Sequence, residues 1–526
     1  MRTQSLRINR KTLFLSIASG ILLFLSFPKH GAGIMAWVAL IPLFFAIRDT
    51  DDIRDGLIVG FVAGLIFNIG ILYWITFVVV HYGHLGYSIG IFLMLLVAAY
   101  LSIYVALFAA GVVYLSGKGI SRIIAAPALW TCLEYGKSHL LTGFPWENLA
   151  YSQHLNRHLI QAVDITGIYG ITFIIILVNV VIYDVINEKF RGKQVMGEVA
   201  LCCIVILGIY CYGYIRIGQI EEVSQAAETM DIAVVQGNID QSVKWNPDFQ
   251  NDTISVYKNL SLRKGSSTPG LTVWPETAAP FFFQDTNKMQ SEILDVARIS
   301  ENWLLFGSPS YQRDCDGDGD AACLSFLNSA FLLSPQGKIL GRYDKVHLVP
   351  YGEYVPLRKM FPFINKLVIG VGDFRSGEGY NPLTMNDHKL GVLICYEGIF
   401  PEASRAYKKK GADLLVNITN DAWFGRTSAP YQHLSMTVFR AVENRLYIVR
   451  SANTGISAII DPTGRIVAQT ELFERTALRD TIKFINNKTF YSVYGDVFVL
   501  ICMTTLVCCI IISFLRRRNV DAYRNQ

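Results

Sequence analysis

Four segments in the middle of the chain place a reactive side chain beside the end of a predicted strand. Glu276 follows the run that begins at Leu271, and Lys345 follows Gly341–Asp344, which we predict to be a polar turn. Glu353 lies in the segment Tyr351–Pro356, and Cys395 ends an apolar run that begins at Gly391. Together these segments supply a thiol, an ammonium group and two carboxylates.

Cys395 is the candidate nucleophile, because Glu276 and Lys345 give its thiol suitable partners. A thiol attacks as the thiolate, which a nearby base or cation supplies. Glu276 could take the thiol proton, and Lys345 could stabilise an oxyanion together with the backbone N–H of Tyr396. A cysteine at a strand-to-helix turn presents its sulfur and the next N–H to one pocket. A lone cysteine ending an apolar strand is more often a core residue, so the hypothesis depends on all three residues occurring together.

The elements around these residues indicate an α/β domain over about residues 229–485. Short apolar strands alternate with helices, as in a sheet that is covered on both faces. The predicted strands are Asp231–Val235, Leu271–Trp274, Trp303–Gly307, Ala330–Leu333, Leu390–Cys395, Leu414–Asn417, Ile448–Ser451 and Ser457–Ile460. The predicted helices are Phe249–Leu262, Asn287–Ser300, Glu402–Lys410 and Tyr431–Asn444.

The chain as a whole has the composition of a membrane protein. Of 526 residues, 52% are hydrophobic and 17% are charged, whereas soluble chains carry about 25% charged residues. A spanning helix needs about 20 mainly apolar residues. We predict eight spans, seven within residues 1–215 and the last at 494–515: Leu13–Phe27, Ile34–Ile47, Leu57–Val80, Ser88–Leu115, Ile120–Tyr135, Ile165–Ile186, Val195–Tyr214 and Tyr494–Leu515.

Basic residues at every second boundary between spans indicate the topology. Clusters precede the first span and follow the second, fourth, sixth and eighth spans, which places both termini in the cytoplasm. The α/β domain then lies on the opposite side of the membrane. A cleaved signal peptide is the alternative for the first span, but no small-x-small cleavage site follows it. The basic residues do not form a nucleic-acid-binding pattern, so no nucleic-acid partner is expected.

The remaining cysteines indicate neither a metal site nor a disulfide framework. Most of them lie inside apolar runs, no CxxC pair occurs, and neither a metal nor a cofactor is expected. Cys315 and Cys323 flank the acidic segment Asp314–Asp320, where a small disulfide is plausible in an oxidising compartment. The acidic segment lacks the glutamate of a calcium-binding loop, and we interpret it as a solvated turn.

The three segments around Glu276, Lys345 and Cys395 read W-P-E, Y-D-K-x-H and C-Y-E. In this order they resemble the Glu–Lys–Cys triad of the nitrilase, or carbon–nitrogen hydrolase, superfamily. The resemblance implies an αββα sandwich, with Glu276 as base, Lys345 as oxyanion stabiliser and Cys395 as nucleophile. Glu353, Tyr396 and Glu397 would then support the triad or the oxyanion.

The complete chain resembles the apolipoprotein N-acyltransferase family. Besides the topology, the segments that carry this resemblance are Thr142–Trp146, Gln236–Ile239 with Trp245, Tyr351–Pro356, Asn420–Gly425 and Arg440–Arg445. The resemblance implies that a phospholipid, expected to be phosphatidylethanolamine, acylates Cys395. The acyl chain then passes to the α-amino group of a diacylglyceryl-cysteine on an apolipoprotein, in the last step of bacterial lipoprotein maturation. The resemblance also implies a location in the bacterial inner membrane, with a periplasmic catalytic domain. The residues it assigns to substrate binding are Trp245, Trp423, Glu443, Gly143 and Trp146.

Two apolar segments near the candidate site fit a lipid substrate. Val355–Phe374 and Ala278–Phe283 are rich in phenylalanine and aliphatic residues. If exposed, they could act as lids that enter the membrane interface and admit acyl chains. Ordinary core packing is the alternative interpretation of the first segment.

Two other functions compete with acyl transfer to an amine. A membrane-tethered amidase that uses water would need the same triad, but seven spans before the domain exceed the needs of an anchor. A transporter or sensor would place ionisable residues inside its spans. The candidate for that role is Glu134, at the end of the fifth predicted span.

Overall fold

The structure is a computed structural model, and it describes residues 9–188, 193–262, 270–313, 324–354 and 374–524. Cys315, Cys323 and the acidic segment Asp314–Asp320 lie outside these residues, as does the predicted lid Val355–Phe374 except for its last residue. The chain divides into two compact units. The first comprises residues up to Thr76, Tyr87–Ile217 and the residues from Tyr494 onward, and the second comprises Phe77–Gly86 and Gly218–Val493.

Helices occur in both units. In chain order they are α1 (Arg10–Leu25), α2 (Ile41–Ala46), α3 (Ile53–Leu72), α4 (Trp74–His81), α5 (Tyr87–Gly117), α6 (Arg122–His139), α7 (Val163–Thr166), α8 (Ile168–Glu188), α9 (Lys193–Gln225), α10 (Pro247–Ser261), α11 (Lys288–Ser300), α12 (Pro401–Lys409), α13 (Ala429–Asn444), α14 (Phe490–Tyr494) and α15 (Val497–Arg524). Short 3₁₀ helices add Gly33–Trp37, Leu149–Gln153, Leu159–Ala162, Cys395–Ile399 and Asp421–Phe424.

Five helices of the described chain are long and apolar enough to cross a membrane. They are Ile53–Leu72, Tyr87–Gly117, Ile168–Asn187, Lys193–Gln225 and Val497–Leu515. The other three predicted spans fall on shorter or more polar helices: α1 has 16 residues, Gly33–Ala46 divides into two short helices, and α6 is interrupted by charged residues. The count of eight spans therefore stays a prediction.

Small residues bring α3 and α5 together in the first unit. Gly56, Gly60 and Gly64 recur every four residues along α3, and each lies against the backbone of α5. A Cβ atom on Gly60 would lie 2.6 Å from the carbonyl oxygen of Val105. Small residues at this spacing allow helix backbones to approach closely in membranes, where van der Waals packing drives helix association.

The carboxylate of Glu134 anchors the loop that follows α6. It accepts hydrogen bonds from the backbone N–H of Leu149 at 2.7 Å and from the hydroxyl of Thr172 at 2.8 Å. Non-helical backbone inside a helical bundle needs such internal partners. These bonds give Glu134 a structural role and do not support the transporter hypothesis.

The second unit contains two six-stranded sheets. The strands are β1 (Thr229–Gln236), β2 (Leu271–Val273), β3 (Trp303–Arg313), β4 (Leu324–Leu333), β5 (Ile339–Asp344), β6 (Leu383–Met385), β7 (His388–Ile394), β8 (Leu414–Thr419), β9 (Tyr447–Ala452), β10 (Ala458–Ile460), β11 (Ile466–Gln469) and β12 (Thr476–Lys483). Their orders are β12-β1-β2-β3-β4-β5 and β11-β10-β9-β8-β7-β6.

The sheets face each other, and helices cover their outer faces. The hydroxyl of Ser451 on β9 donates to the carbonyl oxygens of Val235 on β1 and Val273 on β2, at 3.1 and 3.3 Å. Helices α10 and α11 pack on the first sheet, and α12 and α13 pack on the second. This arrangement is the four-layer αββα sandwich that the family resemblance implied.

The segment Ala278–Phe283 lies in the core of this unit. Ala278, Ala279 and Phe283 are fully buried in the cluster that contains Trp274 and Phe306. The prediction of an exposed lid is therefore wrong for this segment. An apolar run reads the same in sequence whether it packs inside a domain or enters a membrane.

Candidate active site

Cys395 lies at a sharp turn between β7 and the 3₁₀ helix Cys395–Ile399. The strand ends at Ile394, one residue earlier than predicted, because Cys395 has a positive φ of 52°. Such a conformation is costly for a residue other than glycine, and residues that adopt it cluster at functional sites. The turn has the geometry of a nucleophile elbow, and Cys395 is only 9% exposed.

Glu276 follows β2 and lies in a second constrained turn. Thr277 has a φ of 47°, and Gly307 on the neighbouring β3 lies directly against the turn. A Cβ atom on Gly307 would lie 2.4 Å from the backbone nitrogen of Thr277. Gly307 thus allows the carboxylate to reach its position, and no pattern in the sequence indicates this contact.

Lys345 follows strand β5 and not the polar turn that the sequence predicted. Gly341–Asp344 pairs with β4 in an antiparallel ladder at the edge of the first sheet. The ammonium group lies 2.9 Å from Glu353 and 3.9 Å from Glu276 Oε1. The edge strand β5 therefore positions the ammonium group of Lys345 between the carboxylates of Glu353 and Glu276.

Asn328 joins these two carboxylates. Its Nδ2 donates to Glu276 Oε1 at 2.8 Å and to Glu353 Oε1 at 2.9 Å. Glu353 Oε2 accepts the backbone N–H of Val349 at 2.8 Å. Sequence reasoning missed Asn328, because its position on β4 resembles that of any polar residue in a strand.

Burial controls the protonation of the site. Desolvation raises the pKa of Glu276, and the charge of Glu353 adds to this shift while Lys345 opposes it. Desolvation also raises the pKa of the Cys395 thiol, and the Glu276 carboxylate raises it further. Burial alone would lower the pKa of Lys345, but Glu353 and Glu276 outweigh it and raise that pKa. A thiol protonated at rest needs a base, and Glu276 acts on it electrostatically from nearby.

Glu397 connects the cysteine turn to the lysine strand. Its Oε1 accepts hydrogen bonds from the hydroxyl of Tyr343 and the N–H groups of Val346 and His347, at 2.8, 2.8 and 3.1 Å. Its Oε2 accepts the N–H of Ile394 at 2.7 Å. One buried carboxylate thus holds the residues flanking both Lys345 and Cys395.

Tyr396 directly follows the nucleophile, and its ring is largely buried. The ring lies 5.0 Å from the ring of Phe400 and 5.7 Å from that of His347. Its backbone N–H belongs to the same peptide group as the carbonyl of Cys395. This N–H is the backbone donor that we predicted for an oxyanion.

Lys244 is a second buried cation in the site, which sequence reasoning missed. Its Nζ donates to the carbonyl oxygen of Glu276 at 3.2 Å and to Thr277 Oγ1 at 2.6 Å. Desolvation lowers the pKa of Lys244 to about 8. It precedes the half-buried Trp245 in a polar turn, where its sequence context is that of a solvated lysine.

The other residues that were predicted for substrate binding lie elsewhere in the fold. Glu443 is buried and bonds at 2.8 Å to Arg440, which donates to the carbonyl oxygen of Ile399 behind the cysteine turn. The ring of Trp423 packs edge-on against that of Tyr82 at 4.7 Å, inside the second unit. Gly143 and Trp146 lie in the first unit, where Gly143 has a φ of 78°. Their substrate-binding roles stay predictions.

Comparisons with known proteins support the fold of the second unit. The carbon-nitrogen hydrolase family model matches residues 231–484, and the model of the apolipoprotein N-acyltransferase N-terminal domain matches residues 19–181. An amidase of the nitrilase superfamily from Nesterenkonia AN1 aligns with 48% of this chain and 90% of its own chain, at 20% identity and a TM-score of 0.37. The family model assigns residues 231–484, which lie within the second unit, to the carbon–nitrogen hydrolase family.

Relatives that match nearly the whole chain define the family more narrowly. The chain is 45% identical to an apolipoprotein N-acyltransferase from Geobacter metallireducens, over 97% of this chain and 96% of the relative. It is 31% identical to an apolipoprotein N-acyltransferase from Pasteurella multocida, over 92% of each chain. The chain belongs to the apolipoprotein N-acyltransferase family.

Proposed function

We propose that this protein transfers an acyl chain from a phospholipid to the free α-amino group of the N-terminal diacylglyceryl-cysteine of an apolipoprotein. The transfer proceeds through a thioester on Cys395. The observation that carries the proposal is the buried thiol on a strained turn, under the electrostatic influence of Glu276 and Lys345. Membership of the family supports the acceptor, and the long apolar helices support a membrane substrate.

In the first half-reaction, Glu276 takes the thiol proton as the sulfur attacks the ester carbonyl of the phospholipid. The new C–S bond moves an electron pair onto the carbonyl oxygen, where Lys345 and the N–H of Tyr396 stabilise the negative charge. Collapse of this intermediate breaks the C–O ester bond. The departing alkoxide takes the proton from Glu276, and a lysophospholipid leaves.

In the second half-reaction, the neutral α-amino group of the apolipoprotein attacks the thioester. Glu276 accepts a proton from the attacking nitrogen, and the same donors stabilise the second oxyanion. The C–S bond then breaks, and the thiolate recovers its proton from Glu276. We place the catalytic domain in the periplasm and both termini in the cytoplasm, with phosphatidylethanolamine as the donor.

The test is to label the purified full-length protein with phosphatidylethanolamine that is radioactive in its acyl chains. The wild type should gain a hydroxylamine-sensitive label, and Cys395→Ala should gain none. Cys211→Ala, at an exposed cysteine on α9, is the matched control and should label normally. A label of equal strength in Cys395→Ala would disprove the nucleophile assignment.

Adding a diacylated lipopeptide to the labelled enzyme separates transfer from hydrolysis. The proposal expects the label to move to the amino group of the lipopeptide. Release of free fatty acid without an acylated peptide would instead indicate a water-using amidase or lipase.

A further inference from the structure

A buried charged cluster lies behind the cysteine turn and is separate from Glu276 and Lys345. It consists of Asp421, His433 and Arg450, each at most 1% exposed. Arg450 Nη2 lies 2.8 Å from Asp421 Oδ2, and His433 Nδ1 lies 3.1 Å from both Asp421 Oδ1 and Arg450 Nη2. Burying charged groups is costly unless they are well paired. The burial of all three side chains behind the cysteine turn therefore suggests that the cluster has a role there.

The cluster reaches the nucleophile through one hydrogen bond. His433 Nε2 lies 3.1 Å from the carbonyl oxygen of Cys395. A carbonyl oxygen can only accept, so Nε2 must carry the proton. Asn417 Nδ2 approaches the same oxygen at 3.4 Å and bonds more closely to the carbonyl of Leu393, at 2.9 Å.

The surrounding charges favour this form of the ring. Burial and the Arg450 guanidinium lower the pKa of His433, so the imidazole is neutral with its single proton on Nε2. Nδ1 then accepts from Arg450. Although burial opposes ionisation, the Arg450 guanidinium lowers the pKa of Asp421, so the carboxylate balances the guanidinium.

Holding the carbonyl of Cys395 also holds the N–H of Tyr396. These two groups belong to one planar peptide unit, in which a trans bond directs them to opposite sides. A shift of the carbonyl therefore rotates the N–H away from the position of the oxyanion. Preorganised donors stabilise an oxyanion because they need no rearrangement during the reaction.

We propose that His433, oriented by Arg450, which the Asp421 carboxylate holds in place, is a positioning residue that fixes the Cys395–Tyr396 peptide plane and so preorganises the Tyr396 N–H for the oxyanion. The inference rests on the proposed acyl transfer through Cys395. His433 touches neither substrate nor sulfur in this scheme. Its effect is confined to steps that form an oxyanion.

Two reactions of the same thiol separate this role from a general structural one. Acylation by phosphatidylethanolamine passes through an oxyanion, whereas alkylation by iodoacetamide is a direct displacement at carbon without one. Both rates can be measured on the full-length protein, by thioester formation and by mass spectrometry of the Cys395 peptide.

His433→Leu should slow acylation by about 10²-fold, the usual effect of losing one oxyanion donor. Alkylation should stay within about twofold of the wild type, since it needs the thiolate but not the oxyanion donors. His433→Gln retains an N–H donor of similar reach and should acylate within about 10-fold of the wild type.

His388→Leu, at the opposite end of β7, is the matched control, because His388 also pairs with an aspartate, Asp413, at 3.1 Å. It should acylate at the wild-type rate.

Unchanged acylation in His433→Leu, or an equal fall in both rates, would overturn the proposal. If His433→Leu does not fold, His433→Asn replaces it in the test. The asparagine side chain is one methylene shorter than that of glutamine, so His433→Asn should be acylated more slowly than His433→Gln. Equal acylation by the Gln and Asn variants would then count against a positioning role. Failure of the wild type to form any thioester would refute the proposed function itself, which is a separate result.

Discussion

The ammonium group of Lys345 lies 2.9 Å from both carboxylate oxygens of Glu353. Its distance to Glu276 Oε1 is 3.9 Å, so Glu353 is the closer ion-pair partner. Glu276 Oε2 is buried and has no hydrogen-bond partner among the residues that the structure describes. This division fits the proposal that Glu353 fixes the cation and that Glu276 receives a proton.

Replacing Glu353 with glutamine should move the pH dependence of thioester formation. The Glu353 charge raises the pKa of Glu276, so its removal lowers that pKa. Because the base acts when ionised, the acidic limb of the rate profile should shift to lower pH, and the maximal rate should fall about 10-fold as the base weakens. Glu378→Gln, at an exposed site, should keep the wild-type profile. An acidic limb that stays in place would show that Glu353 does not tune the base.

Replacing Lys244 with methionine should change how stability depends on pH. The folded-state pKa of about 8 lies below the ordinary value of 10.5. Between these values the unfolded chain holds a proton that the folded chain lacks, so the folded state gains stability as pH rises, by about 3 kcal/mol in total. Thermal unfolding of the full-length protein from pH 7 to 10 should show that Lys244→Met lacks this gain. Lys288→Met, at an exposed lysine, is the control and should gain stability with pH as the wild type does. If the melting temperatures of all three proteins changed with pH in the same way, the prediction would be contradicted.

Replacing Glu397 with glutamine should destabilise the second unit. The carboxylate accepts four hydrogen bonds, and an amide would turn a donor toward the N–H groups of Ile394 or Val346. Losing hydrogen bonds to a buried charge costs about 2–3 kcal/mol. Denaturant unfolding measures the loss, and Glu471→Gln, at an exposed position, is the control. An unchanged unfolding midpoint would mean that Glu397 does not hold the two segments together.

Replacing Gly307 with alanine should damage the Glu276 turn. The added methyl would lie 2.4 Å from the Thr277 nitrogen, and relieving such overlap typically costs about 1–3 kcal/mol. We expect a lower melting temperature together with slower thioester formation. Gly218→Ala, which meets nothing within 4 Å, should show neither effect. Wild-type acylation by Gly307→Ala would show that the turn tolerates displacement.

The candidate catalytic residues could be predicted from the sequence. Glu276 and Cys395 follow the predicted strands β2 and β7, and carboxyl ends of strands commonly carry active-site groups, whereas Lys345 follows β5, which the sequence pattern predicted to be a turn. The eight strands that were predicted are the apolar inner strands of the two sheets. The four that were missed, β5, β6, β11 and β12, are the sheet edges. Edge strands are half exposed and more polar, so their pattern resembles a turn.

The membrane-type composition, the inner strands and the three candidate catalytic residues could be predicted from the amino-acid sequence, because apolar runs and local motifs record them directly. Only the tertiary structure decided which charges meet. The contacts of Asn328 with Glu276, of Lys244 with Thr277 and of His433 with Cys395 join residues 52, 33 and 38 positions apart. In the sequence these partners resemble ordinary polar residues. Only in the folded chain are they buried away from water, where each charged group needs a nearby partner to be stable.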